Sequence, residues 1–142
     1  MTSISIPRDN RGFSLLEIMI VMVIIGLIAA MIGPELWGRL GTAQQKAAKT
    51  QIEMLLTSLD AYRLDVGSYP SQQEGLNALV TNPGANGWSG PYLAKGFVPD
   101  DPWKHPYMYQ NPGQHGEVDI YSLGSDNRPG GTGVDADVVS WE

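Results

Sequence analysis

Apolar residues fall along this chain in three successive patterns. From Phe13 to Ile32 they are nearly continuous: of 20 residues, only Ser14 and Glu17 are polar. A helix rises ~1.5 Å per residue, so this run spans about 30 Å, the thickness of a bilayer's hydrocarbon core. Gly33-Pro34 comes next and should bend or loosen the helix, because proline lacks a backbone donor and clashes with the preceding turn. The helix should resume at Glu35 and run to about Asp65, now with a periodic pattern. Ala48, Ile52, Leu55, Leu59, Tyr62 and Val66 recur every three or four positions. That spacing predicts an amphipathic helix whose apolar stripe lies against a small sheet, with a coiled-coil seam as the alternative. Glu35 with Arg39, and Lys49 with Glu53, are spaced as i,i+4 pairs on its wet side.

The third pattern is short and broken. Gly67 should stop the helix, and Tyr69-Pro70 reads as a turn. Ser71-Gln72-Gln73-Glu74 has the spacing of a capping box and predicts a short helix from about Gln72 to Val80. Residues 81–106 read as a long loop, packed down through Trp88, Tyr92, Phe97 and Trp103. Tyr107–Gln110 and Val118–Leu123 are the strand candidates, with Asn111-Pro112-Gly113 turning the chain between them. The expected fold class is α+β. A long N-terminal helix, half transmembrane and half amphipathic, packs on a small C-terminal antiparallel sheet.

Composition narrows the chemistry. The chain has 142 residues, a formal charge of -6 and a pI of about 4.7. Such a balance argues against a nucleic-acid partner, which calls for a basic face. Without cysteine, disulfides, thiolate metal sites and thiol nucleophiles are excluded. The 17 glycines and 10 prolines lie mostly after Ser68, so the core there should be small.

Charge also orients the apolar run. Arg8 and Arg11 precede it against one acid, Asp9, whereas the flank beginning at Glu35 is balanced. The bias places the N-terminus in the cytoplasm and the remainder across the membrane. A secretory signal peptide or a plain single-pass anchor would share these features. However, IAAMIGP offers no clean small-residue cleavage pattern, and neither alternative has a use for Glu17. A carboxylate inside a membrane segment is costly and calls for a partner. No basic residue lies in the run itself. Cleavage after Gly12 would give Phe13 a new α-amino group four residues from Glu17. The same amine on a neighbouring copy could pair with Glu17 and set the register of packed helices.

The stretch RGFSLLEIMIVMVIIG, beginning at Arg11, resembles the type IV pilin-like (class III) signal. The resemblance implies that an inner-membrane prepilin peptidase cuts between Gly12 and Phe13 on the cytoplasmic side and methylates the Phe13 amine. Glu17 would then be the family's fifth mature residue, and Pro34 falls where the family has a helix-loosening proline. The implied organisation is a leader at residues 1–12, a transmembrane and assembly helix at 13–34, and a periplasmic domain at 35–142.

The second informative stretch is LGSDNRPGGTGVDADVVSW, residues 123–141. It sets Asp126, Asp135 and Asp137 on a glycine-dense loop. Hard oxygen donors on a flexible loop suit Ca2+, and a small sheet without disulfides gains from a metal staple. The spacing is not that of an EF-hand, and a solvated turn whose aspartates cap the backbone explains the same residues.

GFSLLEIM, LDAYRLDVGSYPSQQEGLNALV, DPW, PGQHGEVDIYSLGSD and DADVVSW together resemble the major pseudopilins of the type II secretion system, the general secretion pathway protein G family. That resemblance implies a structural calcium site in the acidic loop. Asp126 and Asp137 are the main ligand positions, joined by Asp135, the carbonyls of Leu123 and Ser125, and an oxygen near Ser140. The chain departs from the family pattern at Asn127, where glycine is common, and at Val138-Val139-Ser140, where Ile-Gly-Asn is frequent.

No catalytic constellation is visible. His105 and His115 lie apart in Pro/Gly-rich loops, and Gly130-Gly131 lacks the lysine and strand-helix context of a phosphate loop. Asp101-Pro102-Trp103 reads as a turn fixed against the sheet. The expectation is a non-enzyme. The resemblance implies a homo-oligomeric subunit that stacks its N-terminal helices into a periplasmic fibre and drives export of folded proteins through the outer membrane. Its implied partners are prepilin peptidase, minor pseudopilins, an inner-membrane platform and a secretin. A type IV pilin of a surface fibre, and a membrane-anchored binding module that never polymerises, are the rivals.

Overall fold

The structure is a computed structural model that describes residues 12–142. One helix, α1, runs from Leu15 to Val66 without interruption. Ser14 starts it: its hydroxyl oxygen accepts the Glu17 amide at 3.1 Å, the geometry of an N-cap. Gly67 ends it at φ +95°, donating its amide to the Arg63 carbonyl at 2.8 Å, as a left-handed terminator does. Gly33 and Pro34, where the sequence suggests a bend or a loosening, are both helical, so the two expected segments form one element. Proline removes one donor and crowds one carbonyl, and the turns on either side carry the helix past it.

The chain divides into two compact units, one ending at Gly38 and the other comprising Arg39–Glu142. In the first, among the described residues, the large apolar side chains are exposed: Leu15 and Met31 are each 82% exposed. This is the one helix among the described residues long and apolar enough to cross a membrane.

In the second unit the helical stripe forms one wall of the core. Ala48, Ile52, Leu55, Leu59 and Tyr62 are buried, and Val66 packs against them from the edge. They meet Leu76, Leu79, Leu93, Tyr107, Val118, Ile120 and Val138. Burying a large apolar side chain stabilises by about 1.5–3 kcal/mol, so this shared cluster holds helix and sheet together. The stripe therefore belongs to the core and not to a coiled-coil seam.

Three short antiparallel strands complete the unit: β1 (Met108–Gln110), β2 (Asp119–Ser122) and β3 (Val138–Val139), in the order β1-β2-β3. Tyr109 pairs with Ile120, and Tyr121 with Val139. Both expected strands are present, each slightly shorter than predicted; β3 was not expected. The Ser71–Glu74 capping box forms in both directions, at 2.7 and 3.3 Å. It leads into a 3₁₀ segment, Gly75–Leu79, in place of the α-helix expected from Gln72. Gly75 takes φ +58°, which an α-helix cannot accommodate.

The long loop is packed down as expected. The Trp88 indole donates to the Ala78 carbonyl at 2.8 Å, and Tyr92 meets Tyr62 edge-on with centroids 5.6 Å apart. Phe97 is the exception, at 56% exposure.

Candidate functional site

The N-terminal junction is built by the first turn of α1. Gly12 and Phe13 are exposed and non-helical, directly before the Ser14 cap. Glu17 lies in the first turn, where the helix dipole favours a carboxylate. Ser14-Leu15-Leu16-Glu17 is thus a second S-x-x-E start signal. It was readable in the sequence but overshadowed by the apolar run around it. The leader residues before Gly12, including Arg8, Asp9 and Arg11, lie outside the described residues.

The acidic loop is held between β2 and the first turns of α1 in the second unit. Gly124, at φ +68°, is covered by two carbonyls: a Cβ there would stand 2.7 Å from the Asp135 oxygen and 2.8 Å from that of Ala136. Ser125 donates its amide to the Val134 carbonyl at 3.0 Å. Asn127 adopts φ +53°, a left-handed conformation that asparagine tolerates better than most residues.

The carboxylates behave differently. Asp126 is exposed, and its Oδ1 accepts the Arg128 amide at 3.0 Å. Asp135 donates its own amide to the Thr132 carbonyl at 3.2 Å. In Asp137, Oδ2 accepts the Gly130 amide at 2.9 Å, but Oδ1 is buried without a hydrogen-bond partner. Such an oxygen is costly unless something positive satisfies it. Among the described residues, no group of three or more acids or histidines is drawn together as a metal-holding cluster. A cation here would therefore depend on main-chain oxygens, such as the Leu123 and Ser125 carbonyls. The Ser140 hydroxyl oxygen is engaged elsewhere, accepting the Ile120 amide at 3.1 Å.

Helix α1 reaches the same loop. Gln45 Nε2 donates to the carbonyls of Gly133 at 2.5 Å and Ala136 at 3.2 Å. Lys49 turns away from Glu53, the partner its spacing suggested. Its ammonium donates to the Val139 carbonyl at 2.8 Å and to a main-chain oxygen of Glu142.

Two buried aspartates hold the ends of β2: Asp119 is its first residue, and Asp101 bonds its last. Asp101 accepts the amides of Trp103 at 3.0 Å and His105 at 2.9 Å, and the Ser122 hydroxyl at 2.6 Å. It closes the turn expected from Asp-Pro-Trp. Asp119 went unnoticed in the sequence. It accepts the amides of Gln114, His115 and Gly116 at 2.7, 3.1 and 3.2 Å, with the His115 ring 3.1 Å away. Burial pushes its pKa up, but the Gln114 amide and the His115 contacts outweigh that and hold the carboxyl below its ordinary value. His115 in turn stacks on Trp141, centroids 3.8 Å apart. Both aspartates hold structure, and neither faces an open cleft.

Comparison with known proteins agrees with this architecture. Residues 35–141 match the family model for type II secretion system protein G, and residues 7–33 match the prokaryotic N-terminal methylation motif. The chain belongs to the type II secretion system protein G family. It is 44% identical to the type II secretion system core protein G of Pseudomonas aeruginosa, over 95% of this chain and 97% of that one. It is 42% identical to the core protein G of Vibrio cholerae, covering 94% and 93%. The fold resembles the crystal structure of the major pseudopilin of enterohaemorrhagic Escherichia coli, with a TM-score of 0.62 and 32% identity over 73% of this chain and 87% of that chain. Family and apolar helix together fit a membrane-anchored subunit.

Proposed function

We propose that the chain is the major structural subunit of a type II secretion pseudopilus. The observation that carries this reading is the first half of the helix, from Leu15 to Ile32: apolar, exposed among the described residues, and bearing one carboxylate in its first turn. An exposed apolar surface of that extent needs lipid or copies of itself. Before assembly the helix sits in the inner membrane as a single pass, N-terminus in the cytoplasm and residues 35–142 in the periplasm. Prepilin peptidase cuts between Gly12 and Phe13 and methylates the new amine. In the fibre, Glu17 of one copy pairs with the Phe13 amine of a neighbour, offsetting the burial of both charges and fixing the axial register. Minor pseudopilins, the inner-membrane platform and the secretin are its partners, and folded proteins are exported across the outer membrane. The chain acts by assembly, and its buried carboxylates Asp101 and Asp119 hold loops in place.

Ca2+ is the proposed structural ion of the acidic loop. The partnerless buried Oδ1 of Asp137 supports this, being the kind of oxygen a hard cation satisfies. Asp137 and Asp126, with Asp135 and the carbonyls of Leu123 and Ser125, would hold it. The ion would cross-link the loop that leads into β3. Ser140 is the weakest member of the set, since its hydroxyl is committed to β2.

The test is the secreted-protein profile of the source cell with and without this gene, with plasmid complementation. Folded exoproteins should accumulate in the periplasm of the deletion strain and be released on complementation. Unchanged secretion with loss of surface fibres, adhesion or DNA uptake would instead make the protein a type IV pilin.

A further inference from the structure

Three residues one helical turn apart on α1 meet the C-terminal segment. At Gly41, which is buried, the Val134 Cγ1 methyl occupies the space a Cβ would need. At Gln45, the side-chain amide holds the Gly133 and Ala136 carbonyls. At Lys49, the ammonium holds the Val139 carbonyl. An i, i+4, i+8 spacing puts all three on one helix face. That face receives the loop as a notch, a neutral fork and a charge in succession.

Ala136 is clamped by Gln45 and Val139 by Lys49, so Asp137 sits on a short piece of backbone fixed at both ends. With the Gly133 and Ala136 carbonyls turned to α1, the Asp135 carbonyl is left facing Gly124 and Gly131. The helix thus takes up the Gly133, Ala136 and Val139 carbonyls, while amides of the loop itself take up those of Thr132 and Val134.

We propose that Gly41, Gln45 and Lys49 form a seat that positions the acidic loop for its cation, so that docking on α1 and cation binding are coupled. This rests on the proposed calcium site, and the three residues are positioning residues that touch no ion. Clamping the backbone on both sides of Asp137 removes ordering cost that binding would otherwise bear. Coupling of this kind is reciprocal: a cation that needs the docked loop must also tighten the docking. Loss of an outer partner that orients a metal ligand costs about 10–100-fold in affinity.

The experiment uses the full chain in detergent micelles. Calcium chloride is titrated by calorimetry, and thermal unfolding is followed in calcium and in EGTA. The comparison covers wild type, Gln45→Ala, Lys49→Ala and Lys49→Arg, with Gln44→Ala as the control outside the seat. Gln45→Ala and Lys49→Ala should each weaken calcium binding about tenfold or more and shrink the gap in melting temperature between calcium and EGTA. Lys49→Arg, which keeps a donor and its charge, should restore most of both, and Gln44→Ala should change neither. If wild type binds calcium but the seat variants bind it equally well, melting lower by the same amount in both conditions, the seat is only a packing feature and the coupling is wrong. Should Gln45→Ala fail to fold, the Lys49 pair decides the matter alone. If wild type takes up no calcium, the calcium reading itself falls, and the coupling with it.

Discussion

The Ser122 hydroxyl donates to the buried Asp101 carboxylate at 2.6 Å, joining the last residue of β2 to a turn 21 positions earlier. Asp101 is 2% exposed and also accepts two amides of its own turn. Three donors satisfy one buried charge, and each such bond is worth about 1.5–3 kcal/mol. Removing the acceptor leaves three donors orphaned. Asp101→Ala should therefore lower unfolding free energy by about 3 kcal/mol or more, and Ser122→Ala, which removes one of the three donors and the acceptor of the Gly124 amide, by about 1.5–3 kcal/mol, in urea titrations of the full chain in detergent. Equal, small losses for both variants would show that Asp101 is not the centre of this network.

Asp119 makes stability depend on pH. Its folded pKa lies below the unfolded value, so its contribution is fully present above the ordinary aspartate pKa of about 3.9. That contribution is lost as pH falls through the lower, folded value. Protonating Asp119 removes the negative charge that three amides and the His115 ring face and leaves it a weaker acceptor, which loosens residues 114–116 and unsettles the His115–Trp141 stack. The expected result is a loss of stability on acidification below about pH 4. It should be visible as a change in Trp141 fluorescence that Trp141→Phe abolishes and Asp119→Asn largely pre-empts. An acid transition identical in Asp119→Asn and wild type would assign it to other carboxylates.

The helix, its stop at Gly67, its core stripe and the Ser71 capping box were legible in the sequence because each is written within a few consecutive residues. The same holds for Asp101, whose turn partners lie within four positions. What escaped is non-local. β3 is two residues long and exists only because Tyr121 and Ser122 pair with Val139 and Val138. Lys49 had a plausible partner one turn away, yet its carbonyl acceptors stand 90 or more positions on. The 3₁₀ segment after the capping box depended on one glycine taking a positive φ. In the acidic loop, the composition pointed to the aspartates, but only the fold shows that Asp137, among the three, carries a partnerless buried oxygen.

Two polar residues share the first turn of α1, and their roles should separate. Ser14 caps the helix, so Ser14→Ala should cost about 1 kcal/mol of local helix stability while leaving the carboxylate in place. Glu17→Ala should keep the cap and the membrane insertion but remove the inter-subunit pair. Cross-linking of membranes should show ladders of multimers in wild type and Ser14→Ala, and only monomers in Glu17→Ala. Ladders of equal length in all three would rule out the Glu17–Phe13 register mechanism.

Calcium removal offers a direct test of the loop. In the full chain, EGTA should lower the melting temperature, because a ligand that binds only the folded state stabilises in proportion to its occupancy. Asp137→Asn should abolish most of the difference between calcium and EGTA, and Asp126→Asn part of it. Ser140→Ala should leave the difference intact while lowering both values, since its hydroxyl serves β2. No effect of EGTA on wild type would mean that the loop is a solvated turn.

Lys104 supplies a stabilising prediction. It sits at φ +71° in the turn that Asp101 closes, where its amide reaches the Asp101 carbonyl at 3.0 Å and the Asp101 amide reaches the His105 carbonyl at 2.8 Å. A side chain with a Cβ in this region is disfavoured by about 1–2 kcal/mol, and glycine is not. Glycine also gives the unfolded chain more freedom, which offsets part of the gain. Lys104→Gly should still raise the urea midpoint, by a margin equivalent to about 0.5–1 kcal/mol, with no change in the slope of the transition. Lys104→Ala keeps the Cβ and loses only the ammonium, so it should leave the midpoint where it was. If alanine stabilises as much as glycine, the cost at this position lies in the lysine's charge and not in its backbone.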